Sequence, residues 1–365
     1  MSDHLLEIED LVLDVVSRSD SGQAGPAQPS AVGEHGLDAS SWKVLCDLGL
    51  VSLALPESLG GSGGGLREAA AVVRAGALLP MPLADAAMLA APLLAAGSLP
   101  WPGGVVTATI AGVELDVRVE GEHLCLSGPL RRVPWLRDSD HVVVSVAGEA
   151  GTGGLVAVLA SPASDDLEQG RNLAGEPRDT WHLEAVRATA WAPAPDLGPD
   201  EVRRLAGLAR ASQIAGAASA VLSRTLDYTR ERIQFGRPLA ALQAVQQRTA
   251  LVAGEVTRAR VVTDAAAAAL DAEDSRAALL CAVAACEASS SVREVAAAGH
   301  QLHGAMGWTT EYPLGRATTR LWSWRDEYGD ETAWAQVVAE TVAAGPDVWT
   351  VITGSDEPEQ EGRAT

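Results

Sequence analysis

The sequence predicts an α+β multidomain chain. An N-terminal helical domain comes first, a middle β-sandwich or barrel domain second, and a C-terminal four-helix bundle last. Three observations carry this. The 365 residues exceed what one hydrophobic core usually serves. Residues 104–195 hold short β-branched runs bounded by Gly, Pro, Asp or Ser. On both sides of them, apolar residues recur three to four apart, the period of a helix face. The expected domains are 1–103, 104–195 and 196–350, with 351–365 a polar, disordered tail.

In the first domain, "SSWKVLCDLGLVSLALPESLGGSGGG" carries Trp42, Leu45, Leu48 and Leu50 in a helical stretch before Pro and Gly interrupt it. Ser40 or Ser41 is the expected helix cap. "LREAAAVVRAGALL" continues the helical pattern, Pro80 and Pro82 break it, and "LADAAMLAAPLLAAG" restores it. The glycines at 60, 61 and 63–65 lack the Gly-Lys-Ser/Thr ending of a phosphate-cradling loop and read as a plain loop. In the β domain, "GVVTATIAG", "LDVRVEGEHLCLSG", "DHVVVSVAG", "GLVAVLAS" and "WHLEAVRATAW" predict antiparallel strands. In the bundle, Leu205, Leu208, Ala215, Ala218 and Leu222 share one helix face. Val245, Val252, Val256 and Ala259 line the next. The stretch from Asp264 to Ala298 is expected to supply two more helices, with small residues for close approach.

The net charge is −21, from 27 basic and 48 acidic residues. Such a chain repels phosphate polymers and anionic bilayers, which argues against nucleic acid and membrane surfaces as partners. No run of ~18 apolar residues stands out, so no membrane span is expected. "MSDHLLEIED" lacks the charged and apolar regions of a signal peptide, and a cytoplasmic location follows as the expectation. Cys46, Cys125, Cys281 and Cys286 are scattered, with no Cys-x-x-Cys pair, so neither a metal site nor a disulfide framework is indicated.

Against this acidic background, "RERIQFGRPLAALQAVQQRTA" is informative. It concentrates Arg230, Arg232 and Arg237, then adds Gln243, Gln246 and Gln247. Guanidinium forks and amides in one turn suit an anionic ligand.

Together with "HQLHGAMGWTTEYPLGR" from His300 to Arg316, about 70 residues on, this stretch resembles the acyl-CoA dehydrogenase family. "LALPESLGGSG" resembles that family's first domain, and the helix–sheet–bundle order agrees. The resemblance covers roughly residues 35 to 340. It implies FAD and α,β-desaturation of an acyl thioester, carried by CoA or an acyl-carrier protein. Electrons would pass to an electron-transfer flavoprotein. It also implies a homo- or hetero-oligomer with a paralogous dehydrogenase subunit, since these motifs reach a neighbour's FAD. By that resemblance Arg232 is a pyrophosphate contact with Gln234 and Phe235 beside it. Gln243 touches the nucleotide half, and Gln301, Gly304 and Ala305 lie along the ADP. Ala305 replaces the second glycine of the family pair. Taken singly, His303 reads as a helix-end hydrogen-bonding group, Trp308 as core packing, and Glu311-Tyr312-Pro313 as a turn.

The family's catalytic carboxylate commonly stands about seventeen residues after that Glu. Here the position is Tyr328, in "WSWRDEYGDETAW". A phenol with a pKa near 10 is a poor base at neutral pH. The alternative family position falls near Ala206, also without a carboxylate. A one-residue shift would make Glu327 the base. The competing reading is a solvated acidic loop of Asp326, Glu327, Asp330 and Glu331. The family's flavin-ring segments in the β domain have no clear counterpart, though "PLRRVPWLRDSDHVVV" occupies the place of one, with Trp135 as its remnant. The chain therefore resembles a short, degenerate member of the family. Three functions remain open: a dehydrogenase active alone or as one subunit, a non-catalytic partner clamping a sister's FAD, and a flavin-dependent oxidase or monooxygenase on the same fold.

Overall fold

The computed structural model describes residues 3–22, 36–147, 154–309, 312–345 and 347–353. Of the expected tail, residues 354–365 lie outside that set, as does Glu311.

The N-terminal part contains α1 (Asp3–Gly22), α2 (Ala39–Asp47), α3 (Leu66–Ala75), α4 (Leu83–Asp85) and α5 (Ala91–Ala96), with a π-helical turn, Ala86–Ala90, joining the last two. The cap of α2 is Asp38, not Ser40 or Ser41: its Oδ1 accepts the Ser41 N–H at 3.0 Å. An ionised carboxylate is a stronger acceptor for an orphan helix N–H than a hydroxyl. Both serine positions already lie inside the helix.

The middle part contains β1 (Val106–Ile110), β2 (Asp116–Glu120), β3 (His123–Pro134), β4 (His141–Val146), β5 (Gly154–Ala160), β6 (Arg178–Arg187) and β7 (Ala190–Ala194). They form two sheets, ordered β1-β4-β5-β7 and β2-β3-β6. The strands are not all antiparallel. β1 pairs with β4 in parallel, Val106 opposite His141. The chain leaves β1, builds the β2-β3 hairpin of the other sheet, and re-enters beside β1 in the same direction, a crossover that a parallel pair requires.

The valine run of β4 is buried on both faces. Val142 and Val144 meet Leu124, Leu126 and Trp181 of the second sheet. Val143, one residue out of phase, faces Leu89, Leu93, Val202 and Leu205 of the helices. The first sheet is thus a layer between helices and the second sheet, which explains its near-continuous apolar strands.

The C-terminal part contains α6 (Pro199–Glu231), α7 (Gln243–Asp271), α8 (Ala277–His303), α9 (Leu314–Arg325), α10 (Glu331–Ala344) and α11 (Val348–Thr353). The stretch from Asp264 to Ala298 does not supply two new helices: its first turns finish α7, and only α8 is new. The break between them is made by Asp274, whose Oδ1 accepts from the Arg276 N–H at 2.8 Å. α9 and α10 complete the packing around α6 and α8. By length and composition α6 is apolar enough to cross a membrane, but 83% of its most apolar window is buried inside the molecule.

Two polar devices join the N-terminal helices to the bundle. Asp271, at the end of α7, accepts the Leu66 and Arg67 N–H groups at 2.7 and 2.9 Å, capping α3 from outside. Buried Arg74 of α3 is held by Glu9 of α1 and by Asp264 of α7 at 2.7 Å. Close approach is needed as well, since a Cβ on Gly216 would lie 2.1 Å from the Arg74 carbonyl oxygen. Asp271→Ala should lower stability by about 1 kcal/mol through the lost cap. Urea denaturation should show it as a lower midpoint with an unchanged slope.

Candidate functional site

The basic turn is a hairpin. α6 ends at Glu231, and β8 (Ile233–Gln234) pairs with β9 (Arg237–Pro238), Gln234 opposite Arg237. Phe235 and Gly236 form the loop at φ 54° and 77°. Positive φ at both central residues is what a two-residue type I′ hairpin demands. The Phe235 side chain is 85% exposed and Ile233 66%. Leu239 N–H then bonds the Arg232 carbonyl at 2.9 Å, and α7 begins at Gln243.

The second motif lies at the end of α8. Gly304 caps that helix at φ 59° and opens a 3₁₀ turn through Trp308. Buried His303 bonds the Gly299 carbonyl through Nδ1 at 2.8 Å and the Tyr312 hydroxyl through Nε2 at 3.1 Å. Its ring stacks on Tyr228 of α6 at 4.5 Å. This knot holds the end of α6 against the end of α8. Burial lowers the His303 pKa, so the ring is neutral at pH 7. Trp308 is not core packing: it is 75% exposed and stacked on His300 at 4.3 Å.

Between the two motifs runs a groove of about 510 Å³. Five of the expected cofactor residues line it: Arg232, Gln234, Gln301, Gly304 and Ala305. Gln243 does not, although Ala244 and Val245 beside it do, and Phe235 stands outside at the hairpin tip. Sequence reasoning missed Arg248, which lines the groove and pairs with Glu294 at 2.7 Å. Its position, four residues after Ala244 on the same helix, was the available signal. The Arg232 guanidinium has no acidic partner among the described residues.

The base position is built differently. Tyr328 is largely buried at φ 63°, and burial pushes its phenol well above the ordinary value. It packs in the same apolar cluster as Ala206, so both family base positions meet in one place without a carboxylate. Glu327 does not lie in a solvated acidic loop. It points inward and is clamped: Arg178 Nε donates to Oε1 at 2.8 Å and Arg210 Nε to Oε2 at 2.6 Å. Arg210 reaches on to Asp85 at 2.7 Å. Glu176 holds the other end, bonded to Arg178 at 3.3 Å, Arg320 at 3.0 Å and Trp324 Nε1 at 2.9 Å. Asp330 caps α10 through the Ala333 N–H, and Gly329 stands at φ 133°, a backbone conformation that strains any side chain.

Burial raises the Glu176 and Glu327 carboxyls, but the arginines outweigh it. Arg178 and Arg320 bring Glu176 down to about 2. Arg178 and Arg210 lower Glu327. At Asp85 burial prevails over Arg210 and the carboxyl is raised. A depressed pKa makes Glu327 a weak base and a firm counter-ion.

The family model of the acyl-CoA dehydrogenase C-terminal domain matches residues 205–325. Acyl-CoA dehydrogenase IpdE2 of Mycobacterium tuberculosis is 30% identical over 302 residues, covering 80% of this chain and 83% of that one. The chain belongs to the acyl-CoA dehydrogenase family. Acyl-CoA dehydrogenase FadE27 of the same organism is 30% identical over 312 residues, covering 78% and 82%. Among solved structures, the ChsE4–ChsE5 complex of M. tuberculosis superposes with TM-score 0.80 at 23% identity, covering 95% of this chain and 99% of that one. The Tcur3481–Tcur3483 steroid ACAD superposes with TM-score 0.79 at 25% identity, covering 93% and 98%.

Within this acyl-CoA dehydrogenase fold, Glu327→Gln should leave two buried guanidiniums short of charge and cost about 3–5 kcal/mol. Chemical denaturation would measure it. Acid gives a second check. The stability supplied by Glu176 and Glu327 is complete above their unfolded pKa of 4.5. It is lost as pH falls through the folded value of about 2 at Glu176. A pH series of thermal unfolding should show the decline beginning below 4.5.

Proposed function

We propose that this chain is one subunit of an FAD-dependent acyl-thioester dehydrogenase, and that it supplies the pyrophosphate side of a flavin site whose base comes from a sister subunit. The observation that carries the reading is a contrast. An unpaired Arg232 stands in an open groove, while Ala206, Tyr328 and the clamped Glu327 occupy the places where a base would act.

The groove suits FAD on its phosphate side. The Arg232 guanidinium, without a counter-ion among the described residues, is available for bidentate pairing with phosphate oxygens. Nothing lies within 4 Å of where a Cβ on Gly304 would stand, so the backbone of that turn is open to a ligand. Gln234 and Gln301 bring amide donors and acceptors to the same groove. Bound there, FAD supplies the hydride acceptor for α,β-desaturation. Arg232 orients the pyrophosphate, and the Tyr228–His303–Tyr312 knot holds the wall behind it. Tyr328, held neutral, takes no proton at pH 7. Proton removal from the thioester therefore falls to the sister subunit's carboxylate.

Exposed Phe235, Ile233 and Trp308 belong to the same two motifs, an apolar rim that a neighbouring subunit would cover. The likeness to the Tcur3481–Tcur3483 steroid ACAD supports a bulky ring-bearing acyl group as substrate. An electron-transfer flavoprotein is the expected acceptor.

Expressed alone, the chain should purify without flavin absorbance. Co-expressed with a longer paralogue that keeps the family's catalytic carboxylate, it should purify as a yellow complex. Arg232→Ala should weaken FAD binding in that complex about ten- to a hundredfold, the loss of a charged hydrogen-bond pair. Stoichiometric flavin on the chain alone, reduced by an acyl-CoA, would overturn the reading.

A further inference from the structure

A second cavity, of about 340 Å³, opens between the β domain and the bundle. It shares no lining residue with the groove. Thr109 of β1, Arg132 and Pro134 of β3, Arg178 of β6, Ser323 of α9 and Tyr328 line it.

Arg132 is placed there by a bulge. Leu130 pairs with Trp181 and Val133 with Asp179, so β3 takes three steps where β6 takes two. The extra residue bends the strand and re-aims a side chain. Arg132 sits at φ 54°, a left-handed conformation that is costly for a long side chain. Nothing among the described residues offsets that cost. The Arg132 guanidinium has no acid or hydrogen-bond partner among the described residues, whereas its neighbour Arg131 pairs with Glu114 at 2.7 Å. The Tyr328 phenol and the Thr109 hydroxyl likewise make no hydrogen bond within the described residues. Three polar groups thus line one cavity unpartnered.

The charges lining the cavity leave one positive excess. Arg178 is neutralised by Glu176 and Glu327. Asp326, which also lines the cavity, has Arg325 at 3.6 Å. Arg132 alone is uncompensated. On a chain of net charge −21, a guanidinium that lines one cavity with two hydroxyls and has no partner among the described residues marks a local anion site rather than a general attraction.

We propose that this cavity binds the oxyanion of a small ligand, a carboxylate or phosphate group, through Arg132 with Tyr328 and Thr109 as hydroxyl donors. Arg132 forms the charged fork and the hydroxyls complete the shell. Burial keeps the Tyr328 phenol protonated and so a donor throughout the neutral range. No residue of the groove takes part, although Tyr328 also enters the proposed function as a residue in the place of a base.

The test is calorimetric titration of the full chain at constant ionic strength, with inorganic phosphate and glutarate as separate probes. Saturable binding of at least one is expected, and the probe that binds assigns the group. Arg132→Gly relieves the left-handed backbone, so it should fold, and it should weaken binding about ten- to a hundredfold. Tyr328→Phe should weaken it less. Absence of saturable binding for both probes, or equal affinity in Arg132→Gly, would overturn the proposal.

Discussion

Asp85, Arg210, Glu327, Arg178, Glu176 and Arg320 form one buried chain of alternating charge. Its three acids and three arginines come from the N-terminal helices, the β domain and the bundle. Apolar clusters also join these parts, but such contact is non-directional and fixes no single register. An ion chain does, because each guanidinium must meet its carboxylates in one geometry. The desolvation penalty keeps its net stabilisation small while making loss of any one member expensive. The relative placement of sheet, N-terminal helices and bundle depends on this chain.

The same choice of residue decides the chemistry. A general base needs a pKa near the working pH and an unencumbered oxygen. Glu327 has both oxygens bonded to arginines and a depressed pKa. What docks the domains is thereby withdrawn from proton transfer. The groove follows the opposite logic. Its Arg232 guanidinium has no partner among the described residues, and its walls include a hairpin and a helix end, elements whose backbone groups are only partly used by the fold. One region is closed on itself and the other is open to a ligand.

The groove was legible in the sequence because its residues sit in two short motifs, each at a helix end, and local spacing is what a sequence displays. The fold class was legible for the same reason, through helix and strand periods. Non-local matters were not. The parallel β1–β4 pair depends on a crossover through the other sheet, and α7 continues past a stretch that composition alone divides wrongly. Apart from Arg178–Glu176, the links of the ion chain join residues 117 to 149 positions apart, so no local pattern announces Glu327 as a counter-ion. Asp38 displaced the serines as a cap because charge on an acceptor outweighs adjacency. Trp308 reads as core by composition, yet a stacking partner on the surface holds it outside.

Phe235 presses the argument one step further. Type I′ turns favour Asn or Gly, and an aromatic residue in left-handed backbone costs about 1–3 kcal/mol. Its ring is 85% exposed, so nothing among the described residues offsets that cost. Full burial of a Phe side chain returns about 1.5–3 kcal/mol, the same size. A hairpin that is strained and unpacked in the free chain becomes neutral once a second surface covers it. Phe235 follows Gln234 of the groove and stands three residues from Arg232, so the surface that relieves the strain would also close the groove. On the proposed reading, ligand binding and subunit association would be one event, each supplying what the other lacks.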